Sequence, residues 1–255
     1  MTASRRLPHL LGRHGLTALR ALAARRALWA FDFDGTLARI RRDPSKVRVA
    51  ALTAARLACL ARRYPVAIVS GRRVADLRGR LGFEPAWILG SHGAEDPGDP
   101  RAAQRARDAL EPARAALSRH ASALRAAAVR VEDKGQSIAL HYRIAGDRSA
   151  ARVCIDRIFA ERDDVHAFHG HCVCNLVAPG VRGKADAVRT LMRRAGAEAL
   201  FYAGDDADDE RVFATARRGW VTVRVGAAGQ ASRAAYRVDG PGQLGAALGQ
   251  VFPAT

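Results

Sequence analysis

Two aspartates spaced by one residue, Asp32 and Asp34, close a short apolar run in Trp29-Ala30-Phe31-Asp32-Phe33-Asp34-Gly35-Thr36-Leu37. Apolar residues bounded by turn formers read as a buried strand. In an open α/β sheet, ligands bind outside the carboxyl ends of strands, which puts both acids at a crevice. Paired carboxylates there can hold a hard cation, and one of them can attack an electrophile. A helix cap or acidic turn accounts for one aspartate, and poorly for two at the end of an apolar strand.

Further reactive groups recur at comparable positions. Ser70 follows the apolar run 65–69, Lys184 opens a helical stretch, and Asp205, Asp206 and Asp209 follow the run 199–203. Phosphoryl transfer needs a nucleophile, a proton donor for the leaving oxygen, and positive charge around the equatorial oxygens. Asp32 can attack phosphorus, and Asp34 can protonate the leaving alkoxide and then activate water. Ser70 can donate to one phosphoryl oxygen while Lys184 neutralises another. Asp205, with Asp32 and the carbonyl of Asp34, suits Mg²⁺, a hard cation that prefers oxygen ligands; Asp206 and Asp209 would support them from behind. Taken singly, each motif has an ordinary reading as a turn, a helix surface or a helix start. Their order along the chain favours one site.

The elements that must position these groups alternate. A helical segment over 50–63 separates the first two strands, and a third strand, 87–89, ends at Gly90-Ser91-His92-Gly93. This rhythm predicts a parallel sheet covered by helices. An Ala/Arg-rich helical stretch over 100–128 follows, then strands over 129–132 and 137–142, a helix over 149–162, and strands on either side of Gly170. These segments have the character of a smaller inserted α+β domain. The parallel rhythm resumes after Lys184, and 220–225 reads as the final core strand. The expected organisation is an extension over 1–27, a core over 28–97 and 179–255, and an inserted domain over 98–178.

With 255 residues, 49% of them hydrophobic and 26% charged, the chain can bury a sizeable core. No apolar run is long enough to span a bilayer. Residues 1–27 mix arginines with leucines and alanines, without the extended apolar core of a secretory signal. They read as a basic amphipathic helix or a frayed extension, and a cytoplasmic, monomeric enzyme is expected. The net charge of +17 invites a nucleic-acid reading. Nearly all the cations, however, are arginines scattered through Ala-rich segments, and aromatics make up only 6% of residues, so no nucleic-acid partner is expected. Only three lysines occur, Lys46, Lys134 and Lys184. Lysine is a compact point charge that arginine replaces poorly, and two of the three fall in segments that look functional. The four cysteines show no disulfide framework. A cluster of His166, His169, His171, Cys172 and Cys174 lacks paired metal-ligand spacing and alternates like a strand, so zinc is not favoured.

The order DxDGTL, strand-end Ser, Lys, GDDxxDE resembles the haloacid dehalogenase superfamily of aspartate-nucleophile phosphatases. A finer resemblance, to trehalose-6-phosphate phosphatases, covers roughly residues 28–225. It rests on Val69-Ser70-Gly71-Arg72, on Leu89-Gly90-Ser91-His92-Gly93-Ala94-Glu95 and on Val131-Glu132-Asp133-Lys134-Gly135. It continues through Ala139-Leu140-His141-Tyr142-Arg143 and Gly204-Asp205-Asp206 to Phe213. The resemblance implies a Rossmann-like core with an α/β cap, and Mg²⁺-dependent hydrolysis of trehalose 6-phosphate through an aspartyl-phosphate. It also implies substrate contacts at Gly71, Arg72, His92, Glu132, Lys134, Arg143 and the position of Asn175. The chain departs from the pattern in several places. Asn175 stands where a glutamate is usual, Ala185 where a glycine is, and Ser91 where a carboxylate is frequent; Gly183 is unusual before the lysine. Asp208 replaces a usual threonine, placing extra charge beside the metal. Asn175 leaves open a same-fold phosphatase acting on another sugar phosphate. A non-catalytic anion-binding regulator is disfavoured by the complete catalytic set.

Overall fold

Strand β1 (Ala27–Phe31) is buried at every position, as a continuous apolar run must be when helices cover both faces of a parallel sheet. The computed structural model describes residues 7–159, 162–170, 172–180 and 183–253. Ahead of β1, helix α1 (Arg13–Ala23) turns Leu19 and Leu22 into the same apolar cluster as Trp29 and Phe31. Of the two readings of the basic N-terminal segment, the packed amphipathic helix is the one observed.

Four elements follow in strict alternation: α2 (Ala51–Ala61), β2 (Val66–Val69), α3 (Val74–Leu81) and β3 (Trp87–Leu89). The helical stretch expected over 100–128 divides into α4 (Pro100–Ala109), α5 (Glu111–Arg119) and α6 (Ala121–Ala126). Pro112 explains the first break, because a proline without an N–H belongs in the first turn of a helix and not in its interior. Strands β4 (Arg130–Asp133) and β5 (Ser137–His141), helix α7 (Arg148–Phe159), and strands β6 (His166–Gly170) and β7 (Val173–Val177) complete an antiparallel sheet in the order β4-β5-β7-β6. Ile138, Leu140, Cys174 and Leu176 bury one face of this sheet against Leu117, Leu124, Ile155 and Phe159 of the helices.

The chain then returns through α8 (Lys184–Ala195), β8 (Ala199–Gly204), α9 (Ala207–Ala214), β9 (Val221–Val225), β10 (Tyr236–Val238) and α10 (Pro241–Gly249). The large sheet runs β10-β9-β8-β1-β2-β3 and is parallel throughout. The strand over 221–225 is therefore not the last. Short β10 pairs with β9 on one side, and on the other receives a bridge from His9, with Leu10 N–H donating to the carbonyl of Arg237 at 2.9 Å. Three residues, only one of them buried, carry too little pattern for sequence periodicity to find. Chain order reverses between β1 and β8, which puts the switch point of the sheet at the carboxyl end of β1. Among the described residues, no helix is long and apolar enough to cross a membrane.

Candidate active site

Asp32 is the first residue beyond β1 and extends the ladder, its N–H donating to the carbonyl of Ala203 on β8 at 2.9 Å. That bond holds the backbone rigid while the carboxylate, 4% exposed, faces Lys184. Lys184 Nζ lies 3.0 Å from Asp32 Oδ1, 2.9 Å from Asp209 Oδ1 and 3.6 Å from Asp206 Oδ1. Burial alone would drive the ammonium towards its neutral form, but the three carboxylates win and hold its pKa well above the ordinary value. The lysine is thus a fixed positive charge at the base of the site.

Asp209 is fully engaged. Its Oδ1 accepts from Lys184 and from the Tyr202 hydroxyl at 2.6 Å, and its Oδ2 accepts from the N–H groups of Asp205 and Asp206 at 2.8 and 3.0 Å. Asp206 caps α9, its side chain accepting from the N–H groups of Asp208 and Asp209 in a reciprocal capping box. These two aspartates build the turn, leaving Asp32 and Asp205 with carboxylate oxygens to offer a ligand. Thr36 Oγ1 donates to Asp205 Oδ1 at 3.2 Å. Gly35 adopts φ +77°, and a Cβ there would collide with the Asp205 carboxylate, so only glycine lets this loop pass beneath it.

The donor set fits a hard divalent cation. Oxygens of Asp32 and Asp205 lie within 4.8 Å of one another and of the fully engaged Asp209. One lysine faces four carboxylates, and the imbalance shows in Asp205: burial, then the charges of Asp209 and Asp206, push its pKa up to about 7. Two further positive charges would relieve that repulsion.

On the other side of β1, Arg72 donates from Nε and Nη2 to the two oxygens of Asp34, at 2.6 and 2.8 Å, and from Nη1 to Asp76 at 2.7 Å. The guanidinium also lies 5.4 Å from the centre of the Phe33 ring. Ser70, at the end of β2, is 1% exposed; its Oγ accepts from the Arg72 N–H at 3.3 Å, and its own proton is unengaged among the described residues. Asp32, Asp34, Ser70, Gly71, Arg72, Lys184 and Asp205 therefore converge on one sheet edge.

The small sheet sits over this edge. Glu132, Ala139, Asn175 and Phe168 form a single cross-strand row, so their side chains share the face opposite the helices. Lys134, in the turn after β4, donates from Nζ to the carbonyl of Gly71 at 2.9 Å, linking small sheet to large. Phe168 meets the ring of His92 edge-on at 5.0 Å, and the Arg211 guanidinium lies 5.5 Å from the Phe168 centroid. Asn175 is 6% exposed and makes no side-chain hydrogen bond among the described residues. Arg143 is not brought here. It is exposed in the turn beyond β5, at the opposite end of that strand from the Lys134 turn that meets Gly71.

Sequence reading missed several partners. Tyr202 hides in an apolar strand, and His141, whose Nε2 lies 2.7 Å from Glu132 Oε2, is separated from that glutamate by a turn. Arg72, ahead of the N-cap of α3, reaches Asp76 in its first turn, a pairing that helix spacing alone does not reveal. Asp208 corrects an expectation: it turns away from the acidic cluster, and its Oδ2 lies 3.2 Å from His92 Nδ1. The His/Cys group is split between the two faces of the small sheet, with His169 bound to Asp156 at 2.8 Å; His171 lies outside the described residues.

Core, inserted sheet and acidic switch point define an α/β protein of the haloacid dehalogenase type. Within that class, the Trehalose-phosphatase family model matches residues 30–241, and the chain belongs to that family. It is 35% identical over 209 residues to trehalose-phosphate phosphatase of Mycolicibacterium paratuberculosis, covering 78% of this chain and 53% of that protein. The Mycobacterium leprae protein of the same name is 34% identical over 227 residues, 83% of this chain and 52% of its own length. The chain thus spans about half the length of the curated relatives it matches. The C-terminal domain of C. albicans trehalose-6-phosphate phosphatase superposes with a TM-score of 0.70 over 98% of this chain and 99% of its own, at 20% identity, a likeness of fold.

Proposed function

We propose that this protein is a phosphoric monoester hydrolase that cleaves trehalose 6-phosphate to trehalose and phosphate. The observation that carries the reading is the buried Asp32–Lys184 pair at the switch point, 3.0 Å apart, with family membership supplying the substrate class. An Asp32 oxygen attacks phosphorus; the bond to the sugar oxygen breaks, and Asp34 supplies the proton that oxygen needs. Water, deprotonated by Asp34, then attacks the aspartyl-phosphate and releases phosphate with Asp32 restored. Lys184 and the Ser70 hydroxyl stabilise charge on the equatorial oxygens. Mg²⁺, held by Asp32, Asp205 and the carbonyl of Asp34, would neutralise phosphoryl charge when bound.

In the resting arrangement each Asp34 oxygen accepts one hydrogen bond from Arg72, and its second lone pair is left for the proton exchanged with the leaving oxygen and water. Glu132, Lys134 and Asn175 face the site from the small sheet and are assigned to the sugar hydroxyls. Asn175 favours a second reading, because an amide accepts from a hydroxyl more weakly than a carboxylate does. On that reading the same machinery acts on another sugar phosphate. Phosphate release from a panel of sugar phosphates, with Asp32→Asn as control, tests both. Trehalose 6-phosphate must give the highest kcat/KM, and Asp32→Asn must abolish turnover of every ester.

A further inference from the structure

Asp208 is 5% exposed, yet among the described residues only one of its oxygens has a partner. Oδ2 lies 3.2 Å from His92 Nδ1, while Oδ1 is sealed from solvent with no hydrogen bond among the described residues. An unpaired buried acceptor costs about 1–3 kcal/mol, so something must hold it there. Oδ1 faces Gly183, where a Cβ would come within 3.0 Å of it, at the N-cap of α8. The first-turn N–H groups of that 12-residue helix favour an anion.

His92 is held as closely. Ser91 and His92 are consecutive left-handed residues, with φ of 49° and 60°. They fold the imidazole back over the loop after β2, so that a Cβ on Gly71 would lie 2.6 Å from Nε2. Nε2 has no hydrogen-bond partner among the described residues, and the ring meets Phe168 of the small sheet edge-on.

We propose that Asp208 is a positioning residue: it fixes His92 as the Nδ1–H tautomer, leaving Nε2 as an acceptor beside Ser70 and Gly71 for a hydroxyl of the bound sugar. An ionised carboxylate only accepts, so the nitrogen facing it must carry the proton, and in a neutral ring the other nitrogen is then a lone pair. The same bond fixes the ring face on which Phe168 docks, tying α9 to the small sheet. The inference rests on the sugar-phosphatase reading and deepens it.

¹⁵N-histidine NMR of the full chain at pH 8, with the His92 signal assigned by His92→Gln, reads the tautomer directly. Wild type and Asp208→Asn, whose amide oxygen still accepts, show Nδ1–H; Asp208→Ala shifts towards Nε2–H. In parallel, kcat/KM for trehalose 6-phosphate relative to p-nitrophenyl phosphate falls about tenfold in Asp208→Ala, mainly through KM, and recovers in Asp208→Asn. Nε2–H in the wild type overturns the proposal, as does an unchanged tautomer and ratio in Asp208→Ala. A wild type that hydrolyses p-nitrophenyl phosphate but does not prefer trehalose 6-phosphate sinks the substrate reading instead; the tautomer then still decides the role of Asp208.

Discussion

Arg72 holds Asp34 by two parallel hydrogen bonds of 2.6 and 2.8 Å, while its remaining arm is bound to Asp76. A planar fork satisfied on both sides fixes where the Asp34 carboxylate points, which a single point charge on a flexible stem does not. Arg72→Lys should therefore behave like Arg72→Ala. Both are expected to lower kcat by roughly 10²-fold, the lower end of what positioned acid–base groups contribute. Steady-state kinetics on variants whose Tm is matched to wild type decides it, and a lysine variant with near-normal kcat would show that charge alone suffices.

Lys184 is 1% exposed and is, among the described residues, the one cation inserted among Asp32, Asp206 and Asp209. Removing one partner of a buried charged network leaves the others uncompensated, at about 3–5 kcal/mol. Lys184→Met should lower Tm by roughly 6–20 °C, at 2–4 °C per kcal/mol for a chain of this size. Added Mg²⁺ should restore part of the loss. Thermal unfolding with and without Mg²⁺ measures both effects; a variant as stable as wild type in chelator would mean the carboxylates are not ionised together.

Acid should weaken the fold partly through Asp76. Burial raises its pKa, but the hydrogen bonds from Arg80 and Arg72 outweigh that and hold it below the ordinary 3.8. A carboxylate depressed in the folded state adds stability that is complete above its unfolded pKa and fades as pH falls through the folded one. The stability difference between wild type and Asp76→Asn should be largest above about pH 5 and shrink towards pH 3. Asp133, lowered chiefly by its hydrogen bond from Arg114, should show the same sign with a smaller amplitude, since it is more exposed. Urea unfolding across that range gives the slopes, and a difference that grows on acidification would reverse the assignment.

The row facing the site should govern affinity more than rate. Asn175→Ala and Lys134→Ala each remove a group able to bind a sugar hydroxyl, a loss of about 1 kcal/mol or a fivefold rise in KM for trehalose 6-phosphate. Lys134→Ala also cuts the bond to the Gly71 carbonyl, so its effect should be the larger. Initial-rate measurements against substrate concentration separate KM from kcat. Arg143→Ala, distant from this row, should leave KM alone.

Legibility in the sequence followed the range of the interactions. Strands β1, β2 and β8 each announce themselves as a short apolar run leading into a reactive residue, because burial on both faces leaves no room for polar alternation. Strand β10 was silent, since its pairing with β9 and with His9 is made by backbone groups that carry no residue pattern.

The chain by itself determined which reactive groups stand at strand ends, for those positions follow from local patterning and turn chemistry. Only the tertiary structure decided their partners. Arg72 on Asp34, Tyr202 and Lys184 on Asp209, Lys134 on Gly71 and Asp208 on His92 span from 7 to 116 residues of sequence. Such pairs exist because parallel crossovers bring distant strand ends side by side, and a hydrogen bond acts over about 3 Å regardless of the length of chain between its ends.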